Sequence, residues 1–595
     1  MIHRLAKWAK EDPNALAQTY FSKGELKSYS IKKVRDRIFY LALFLESKGF
    51  AEDDVLAIFS INTPEWVQCD LAPHLLGGMS AGIYPNSSRK DIQYILDFTE
   101  ARFLAVLNAD FYRKATGINN EDPLSSKVEL ILVFDGDTSI SPLAVSIEQA
   151  IAEGKKLAKG KTLEQYLEKM NPQKGAFLIF TSGTTGHPKG AILSHENMAF
   201  TSDAAIKHWG IPFNKGRMFS FLPLCHVAEK IQNVGVGITC RYDVAYASKI
   251  ENVAKELPIV LPTVLLSVPR LWEKMMETAE SKIKNMPLVR RKMIQWAFDL
   301  SEKVFEARLR GEFPKLVDFA QLQIAERLVL SKVKQTMGLS KISKAASGAA
   351  ALSPHVSKWF RKIGIEILED YGQTESTGVV CMTVPNTECA GTVGIPLVGT
   401  ELKLAEDGEI LSKGKHIFVG YLKNDSAMRD TVKEGWLHTG DLGEYTDKGL
   451  IRIRGRKKEI MKTSGGKMVA PLPIEEKLKE ASLISQACMV GDGRKYLSVL
   501  ITLPEEWNEK IKSNSVAVSG MIVTEKGLLS QIQKVVDDVN AQLASYERIK
   551  QFRVLAHDFS VEGGEMTPTL KVKRSVVEKK YDSVIEDMYL LSSEG

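Results

Sequence analysis

Cysteine is scarce in this chain. Six residues in 595, at positions 69, 225, 240, 381, 389 and 488, include no C-x-x-C pair. That thin spread excludes a disulfide framework and a structural zinc, and it points to a reducing compartment. No H-x₃-H or Cys/His cluster supports a transition-metal site. Ser194 and His195 adjoin but lack a G-x-S-x-G elbow, so a hydrolase triad has no support. Charge of one sign is lacking as well: 79 Lys+Arg against 73 Asp+Glu leave a net +6, too little to indicate a nucleic-acid protein. Long apolar runs are absent. The stretch 259–268 is broken by Pro262 and falls short of the roughly 20 residues that span a bilayer. MIHRLAKWAKEDPNA at the start has no apolar core for a signal peptide. What remains is ordinary: 44% apolar and 26% charged residues, without repeats or low-complexity tracts. The length suggests about three to five folding units. A cytoplasmic chain of enzyme size is expected.

The pattern along the chain is α/β. After Ser30, a candidate N-cap, Val34, Ile38, Leu41 and Leu45 recur at helical spacing until Gly49. Buried strand-like runs follow at 55–60, 103–107, 128–134 and 176–180. Short apolar strands separated by helices predict a largely parallel sheet covered on both faces. Residues 271–341 read as mostly helical. The segment 391–418 turns to short Gly-rich strands. The last 130 or so residues hold strands at 487–490, 497–503 and 552–556 and a helix near 528–543, enough for a small separate α/β domain.

The strongest single signal is TSGTTGHPKG at 181–190, directly after the apolar run 176–180 and before a helix start at Ser194. Glycines let backbone N–H groups point inward as a nest for phosphate oxygens. Thr181, Ser182, Thr184 and Thr185 add hydroxyl donors, Gly183 and Gly186 the turn, and Lys189 a positive charge. The loop lacks G-x-x-x-x-G-K-[ST], so it is not a Walker A loop.

This segment resembles the phosphate loop of the adenylate-forming superfamily. Five further matches stand in that family's order: SGAAALS at 347–353, DYGQTES at 370–376, GWLHTGD at 435–441, GRKKEIMK at 455–462 and TPTLKVKR at 567–574. Within the superfamily the chain looks like a long-chain fatty acyl-CoA synthetase. KEGWLHTGDLGEYTDKGLIRIRGRKK at 433–458, LPLCHVAEK at 222–230 and VPRLWEK at 268–274 are typical of that group, and the RGRKKE form with Gly465-Gly466-Lys467 is most like its bubblegum-type and related bacterial branch. Gly455 departs from the pattern, since many relatives carry Asp there. Arg456 is thereby left without an adjacent carboxylate.

The resemblance implies a large N-terminal domain, 1–457, of two α/β sheet subdomains plus a β-rich one, and a small mobile C-terminal α/β domain, 458–595, hinged at Lys458. It implies ATP, Mg²⁺ and coenzyme A as the groups bound. A carboxylate is a poor electrophile, so it is first made to attack the α-phosphate of ATP, giving acyl-AMP and pyrophosphate. CoA then takes the acyl group. Carried over residue by residue, Glu375 and Thr184 would hold Mg²⁺. Tyr371 would stack on adenine, with Gly348, Ala349, Asp370, Gly372 and Gln373 around it, and Thr374 would bond the α-phosphate. Asp441 and Arg456 would hold the ribose. Lys571 would bridge carboxylate and α-phosphate in the first half-reaction, and Lys462 would serve in the second.

Substrate signals are softer. NVGVGI at 233–238 could line an apolar tunnel at Gly235 and Gly237 with His226 at its mouth; a Gly-containing core helix or strand reads equally well. Between 270 and 344 stand 16 Lys+Arg and 9 Asp+Glu, a local excess suited to peripheral contact with membrane lipid or to a solvated helical face. LGGMS at 76–80 resembles a pantetheine attachment motif but lies inside the first α/β region. The expected partners are a long-chain fatty acid, ATP and CoA, without nucleic acid and with a homodimer as a candidate assembly. The rival readings are a fatty acyl-AMP ligase that loads a protein carrier, and a non-catalytic lipid- or nucleotide-binding relative.

Overall fold

Two large sheets take up most of the apolar strands in the computed structural model. It describes residues 1–117, 127–181, 188–214, 216–387, 389–504, 507, 510–511, 513, 516–567 and 571–590. The chain folds as two compact units, the first comprising Met1–Leu402 and Ser412–His438, the second Lys403–Leu411 and Thr439–Gly595.

In the first unit, strands Gly175–Thr181, Met79–Ile83, Val55–Phe59, Phe103–Val106, Leu130–Val133 and Ala144–Ser146 lie side by side, all parallel. The central ones are buried along their whole length, as their unbroken Val/Ile/Leu/Phe/Ala runs require of strands covered on both faces. At one edge Lys189–Ser194 turns back antiparallel to Gly175–Thr181, and Gly420–Tyr421 adds to it. The run after the Gly-rich loop is therefore a strand before it is a helix. Ser194 then caps the helix His195–Trp209, its Oγ accepting from the Asn197 N–H.

The second sheet has nine strands. Its parallel centre runs Ile367–Gln373, Lys344–Ser347, Val264–Ser267, Arg217–Ser220, Asp243–Tyr246 and Leu16–Ser22. Helix Ile31–Ser47 begins where expected: Ser30 Oγ accepts from the Lys33 N–H at 3.3 Å, and Val34, Ile38, Leu41 and Leu45 are buried. One apolar core joins the two sheets, with Ile58, Phe103 and Ile179 from one and Met218, Leu266 and Ala346 from the other. Residues 269–336 are mostly helical, as the pattern over 271–341 predicts.

The second unit pairs residues 441–445 with Ile451–Arg456 and carries a three-stranded sheet of Gln486–Val490, Leu497–Thr502 and Ile549–Val554. Helices Pro471–Lys479 and Lys526–Asn540 bury Leu478, Ile532 and Val536 in the same apolar cluster as that sheet. All six cysteines are free and buried. Among the described residues no helix is long and apolar enough to cross a membrane.

Candidate active site

Parallel strands end in a crevice where α/β sheets bind ligands, outside their carboxyl ends. Strands Val264–Ser267 and Lys344–Ser347 end together in the first unit, with Ser267 opposite Ser347, and Ser347 opposite Glu369 of the longer strand Ile367–Gln373. The chain leaves Ser347 through Gly348 and Ala349, and Ala349 holds φ +70°. A β-carbon-bearing residue in that left-handed conformation is uncommon and concentrates at functional turns. A Cβ added to Gly348 would lie 2.3 Å from Asp370 Oδ1, so only glycine lets this carboxyl rest against the turn. Burial, reinforced by the neighbouring Glu369 charge, raises the Asp370 carboxyl from 3.8 to about 7.

Among the described residues, three buried polar atoms along these strands have no partner: Ser267 Oγ, Ser347 Oγ and Gln373 Nε2. An unsatisfied buried donor or acceptor costs roughly 1–3 kcal/mol. The Ser267 and Ser347 hydroxyls stand on paired strands at the glycine turn, and the Gln373 amide lies further along the next strand. Tyr371 is partly exposed and Thr374 is buried on the same stretch.

Glu375 lies in the single turn Thr374–Ser376, closed by Thr377 at φ +55°. Its Oε1 accepts from the Tyr421 hydroxyl at 2.6 Å, and Lys189 Nζ sits 5.1 Å from the centre of the Tyr421 ring. The edge strands make this meeting: Tyr421 pairs with Ala191, two residues beyond Lys189. Burial first and the Glu375 charge second raise the Tyr421 hydroxyl above its ordinary range. Tyr421 escaped the sequence reading; its only signal is an aromatic beside Gly420, in a segment without a motif of its own. Among the described residues no group of three or more His, Cys, Asp or Glu could hold a metal. A single carboxylate fits Mg²⁺, which keeps water and takes phosphate oxygens for the rest of its shell. Thr181 Oγ1 donates to the Lys189 carbonyl at 3.4 Å. Ser182, Gly183, Thr184, Thr185 and Gly186 lie outside the described residues.

His226 Nδ1 accepts from the Ala228 N–H and caps the helix Val227–Lys230, which continues as a π-helical stretch, Ile231–Val236. Gly235 and Gly237 are buried there. A Cβ at Gly235 would meet Ser202 Oγ at 2.3 Å, and one at Gly237 would meet Val244 Cγ2 at 3.1 Å. Their missing side chains allow close packing of the helix on its neighbours.

In the second unit, Asp441 is directly opposite Arg456, and Arg456 Nε reaches Asp441 Oδ1 at 2.8 Å. The carboxylate absent from position 455 is thus supplied across the strand pair. Gly455 itself holds φ +142°, which favours glycine. Lys457 pairs with Asp407 and Glu409 at 2.5 and 3.1 Å, and Lys458 is exposed in the turn Lys457–Glu459. Lys462 is exposed on a two-residue strand, its N–H donating to Asp492 Oδ1 at 2.7 Å. Lys571 is exposed too, with its backbone clamped by Thr567: the Thr567 N–H donates to its carbonyl at 2.8 Å, and its own N–H donates to Thr567 Oγ1 at 3.0 Å.

The sequence matches the family described as AMP-binding enzyme over residues 5–422, and the AMP-binding enzyme C-terminal domain over 458–592. It is 34% identical to the long-chain-fatty-acid–CoA ligase FadD15 of Mycobacterium bovis, across 98% of this chain and 95% of that protein. It is 31% identical to the long-chain-fatty-acid–CoA ligase ACSBG2 of Gallus gallus, across 96% of this chain and 79% of the relative. Among solved structures, the anthranilate CoA ligase AuaEII in complex with anthranoyl-AMP has the same fold, with a TM-score of 0.71, 18% identity and coverage of 97% and 96%. So does the o-succinylbenzoate CoA synthetase MenE of Bacillus subtilis with ATP and magnesium, with a TM-score of 0.67, 18% identity and coverage of 96% and 98%.

Proposed function

The chain belongs to the AMP-binding enzyme family, among its long-chain-fatty-acid–CoA ligases, and from that premise we propose how its residues divide the reaction. The enzyme activates a fatty acid with ATP and then passes the acyl group to CoA. The observation that carries this reading is likeness to such ligases along nearly the entire chain, not at one motif.

In the first half-reaction a carboxylate oxygen bonds to the α-phosphorus and pyrophosphate leaves. The fatty acid and ATP are both anions, so stabilising negative charge is the main task. Gly348, Ala349, Asp370, Tyr371, Gly372 and Gln373 receive the adenine. The amide of Gln373 and the hydroxyl of Ser347 offer the unmet hydrogen bonds. Thr374 donates to the α-phosphate, Asp441 and Arg456 hold the ribose, and Lys189 with the 181–186 hydroxyls and amides takes the outer phosphates. Glu375 and Thr184 would hold Mg²⁺, which would supply positive charge to phosphate oxygens; the Tyr421 hydroxyl donates to the Glu375 carboxylate and fixes it. Lys571 draws the two anions together. In the second half-reaction the CoA thiolate attacks the acyl carbonyl carbon and AMP leaves. We place a swing of the C-terminal domain, 458–595, about Lys458 between the two steps. It exchanges Lys571 for the face bearing Lys462, Gly465 and Gly466, and it orders the chemistry in time.

The acyl chain is received along the helix that starts at His226, with Gly235 and Gly237 setting how near the helix lies to its neighbours. Each buried methylene contributes about 0.8 kcal/mol, which favours long chains without a further polar contact. A cytoplasmic enzyme in peripheral contact with membrane lipid completes the proposal. Mass-spectrometric product analysis with ATP, Mg²⁺ and fatty acids of graded length, with and without CoA, tests it. Acyl-CoA and AMP, formed only when CoA is present, are expected. Acyl-AMP that accumulates and ignores CoA would assign the chain to carrier loading.

A further inference from the structure

Arg574 closes the segment TPTLKVKR, three residues after Lys571, and opens the helix Arg574–Lys580. Its side chain is 14% exposed, and that of Glu475, on the helix Pro471–Lys479, is 8% exposed. The pair is bidentate: Arg574 Nη1 donates to Glu475 Oε1 at 2.7 Å and Nη2 to Oε2 at 3.0 Å. Nη1 also donates to the Met489 carbonyl at 2.6 Å, and the Met489 N–H donates to Glu475 Oε1 at 2.6 Å. One guanidinium thus joins a helix, a sheet strand and the segment that carries Lys571. Several N–H donors in one rigid plane make this possible, and an ammonium group would not reproduce it. A buried ion pair is weak evidence for stability by itself, so what it holds in place matters more.

The same guanidinium faces the turn at the proposed hinge. Glu459 Oε2 lies 3.8 Å from Arg574 Nη2. Within the turn Lys457–Glu459, the first residue pairs with Asp407 and Glu409 and the last meets Arg574. Lys458 stands between them. Glu459, Glu475, Met489, Thr567 and Lys571 all follow Lys458 in the chain, so the whole network belongs to the part proposed to swing. From Arg574 the path to Lys571 is short. The Lys573 N–H donates to the Glu565 carbonyl at 2.7 Å, Val572 bridges to Met566, and the Lys571 N–H donates to Thr567 Oγ1 at 3.0 Å. We propose that Arg574 is a positioning residue for the first half-reaction: it locks Lys571 to the hinge turn, so that lysine and turn move together. The proposal rests on the reading of Lys571 as the bridge between the two anions. Arg574 acts through that lysine and not on the substrates.

The test compares Arg574→Lys and Glu475→Gln in the full chain, reading adenylation as pyrophosphate release and thioester formation from supplied acyl-AMP. In Arg574→Lys the kcat of adenylation is expected to fall about 10- to 100-fold. Thioester formation is expected to stay within about twofold. Glu475→Gln keeps the side chain's size and one acceptor oxygen. It shows a smaller loss in the same direction, and it serves if Arg574→Lys melts below the assay temperature. Added to Lys571→Ala, Arg574→Lys is expected to cost nothing further, because no lysine is left to position. A purely structural role would slow both half-reactions alike and add its loss to that of Lys571→Ala. Either result would overturn the proposal, as would wild-type rates in both single variants. Amide hydrogen exchange needs no catalysis: at 457–459 and 571–573 it is expected to quicken about tenfold in Arg574→Lys. Unchanged exchange at both segments would also overturn it. Lys571→Ala that adenylates like wild type would remove the reading of Lys571, and the exchange result would then decide alone whether Arg574 couples the two segments.

Discussion

The carboxylates of the first unit and the lysines of the second are held in opposite ways. Asp370 lies against Gly348 at the end of a nine-stranded sheet, and the Glu375 carboxylate is bonded by Tyr421. Lys462 and Lys571 are exposed, and their backbone N–H groups donate to Asp492 and Thr567. A group that serves one geometry throughout can be locked by its side-chain neighbours. A group proposed to enter the site in one half-reaction and leave in the other is better carried on a clamped backbone with a long, exposed side chain. The comparison breaks if both classes of residue respond alike to substitution.

The largest effect is expected at Glu375→Ala, with adenylation, read as pyrophosphate release, falling about 10³-fold or more as phosphate charge loses its counter-ion. Lys571→Ala should slow adenylation by about 10²–10³-fold and leave thioester formation from supplied acyl-AMP nearly unchanged; equal losses would refute the two-state assignment. Asp370 sharpens the contrast through pH. The folded chain holds its proton up to about pH 7, while the unfolded chain releases it near 3.8. The folded state then binds more protons than the unfolded one across that window. Stability falls as pH rises through it, by roughly 2–4 kcal/mol, and is flat above. Asp370→Asn removes the slope and melts higher than wild type at pH 8, as a thermal series would show. Gly348→Ala drives a Cβ into the Asp370 carboxyl, at a cost of roughly 1–3 kcal/mol in stability and a raised KM for ATP. The smallest change is expected from Tyr421→Phe: losing one hydrogen bond of about 1 kcal/mol weakens apparent Mg²⁺ affinity a few-fold, seen in a magnesium titration of the rate.

Much of this was legible in the chain because it is local. Ser30 and Ser194 are capping residues next to helical patterns, and the parallel strands at 55–59, 103–106 and 175–181 are continuous apolar runs between helices. Motif order carried the site. The features that escaped depend on pairing. The strand Lys189–Ser194 is short and has Gly190 as its second residue, so the sequence alone does not mark it as a strand; its partner strand creates it. Arg456 looked unaccompanied because its carboxylate stands on the opposite strand, not at position 455. Tyr421 reaches Glu375 only through an edge strand added from far along the sequence. The helix Leu316–Ala325 leaves Leu316, Val317 and Ile324 exposed, since periodicity identifies a face and leaves its direction to the fold.

The burial of every cysteine has a practical outcome for an enzyme that handles a thiol and an activated acyl group. Burial raises the thiols of Cys69, Cys225, Cys240, Cys381 and Cys488, which keeps them protonated and poorly nucleophilic. The protein should neither acylate itself from its own adenylate nor form mixed disulfides with CoA. A colorimetric thiol reagent added to the folded enzyme would therefore count remaining CoA against almost no background, and turnover could be followed continuously as that colour is lost.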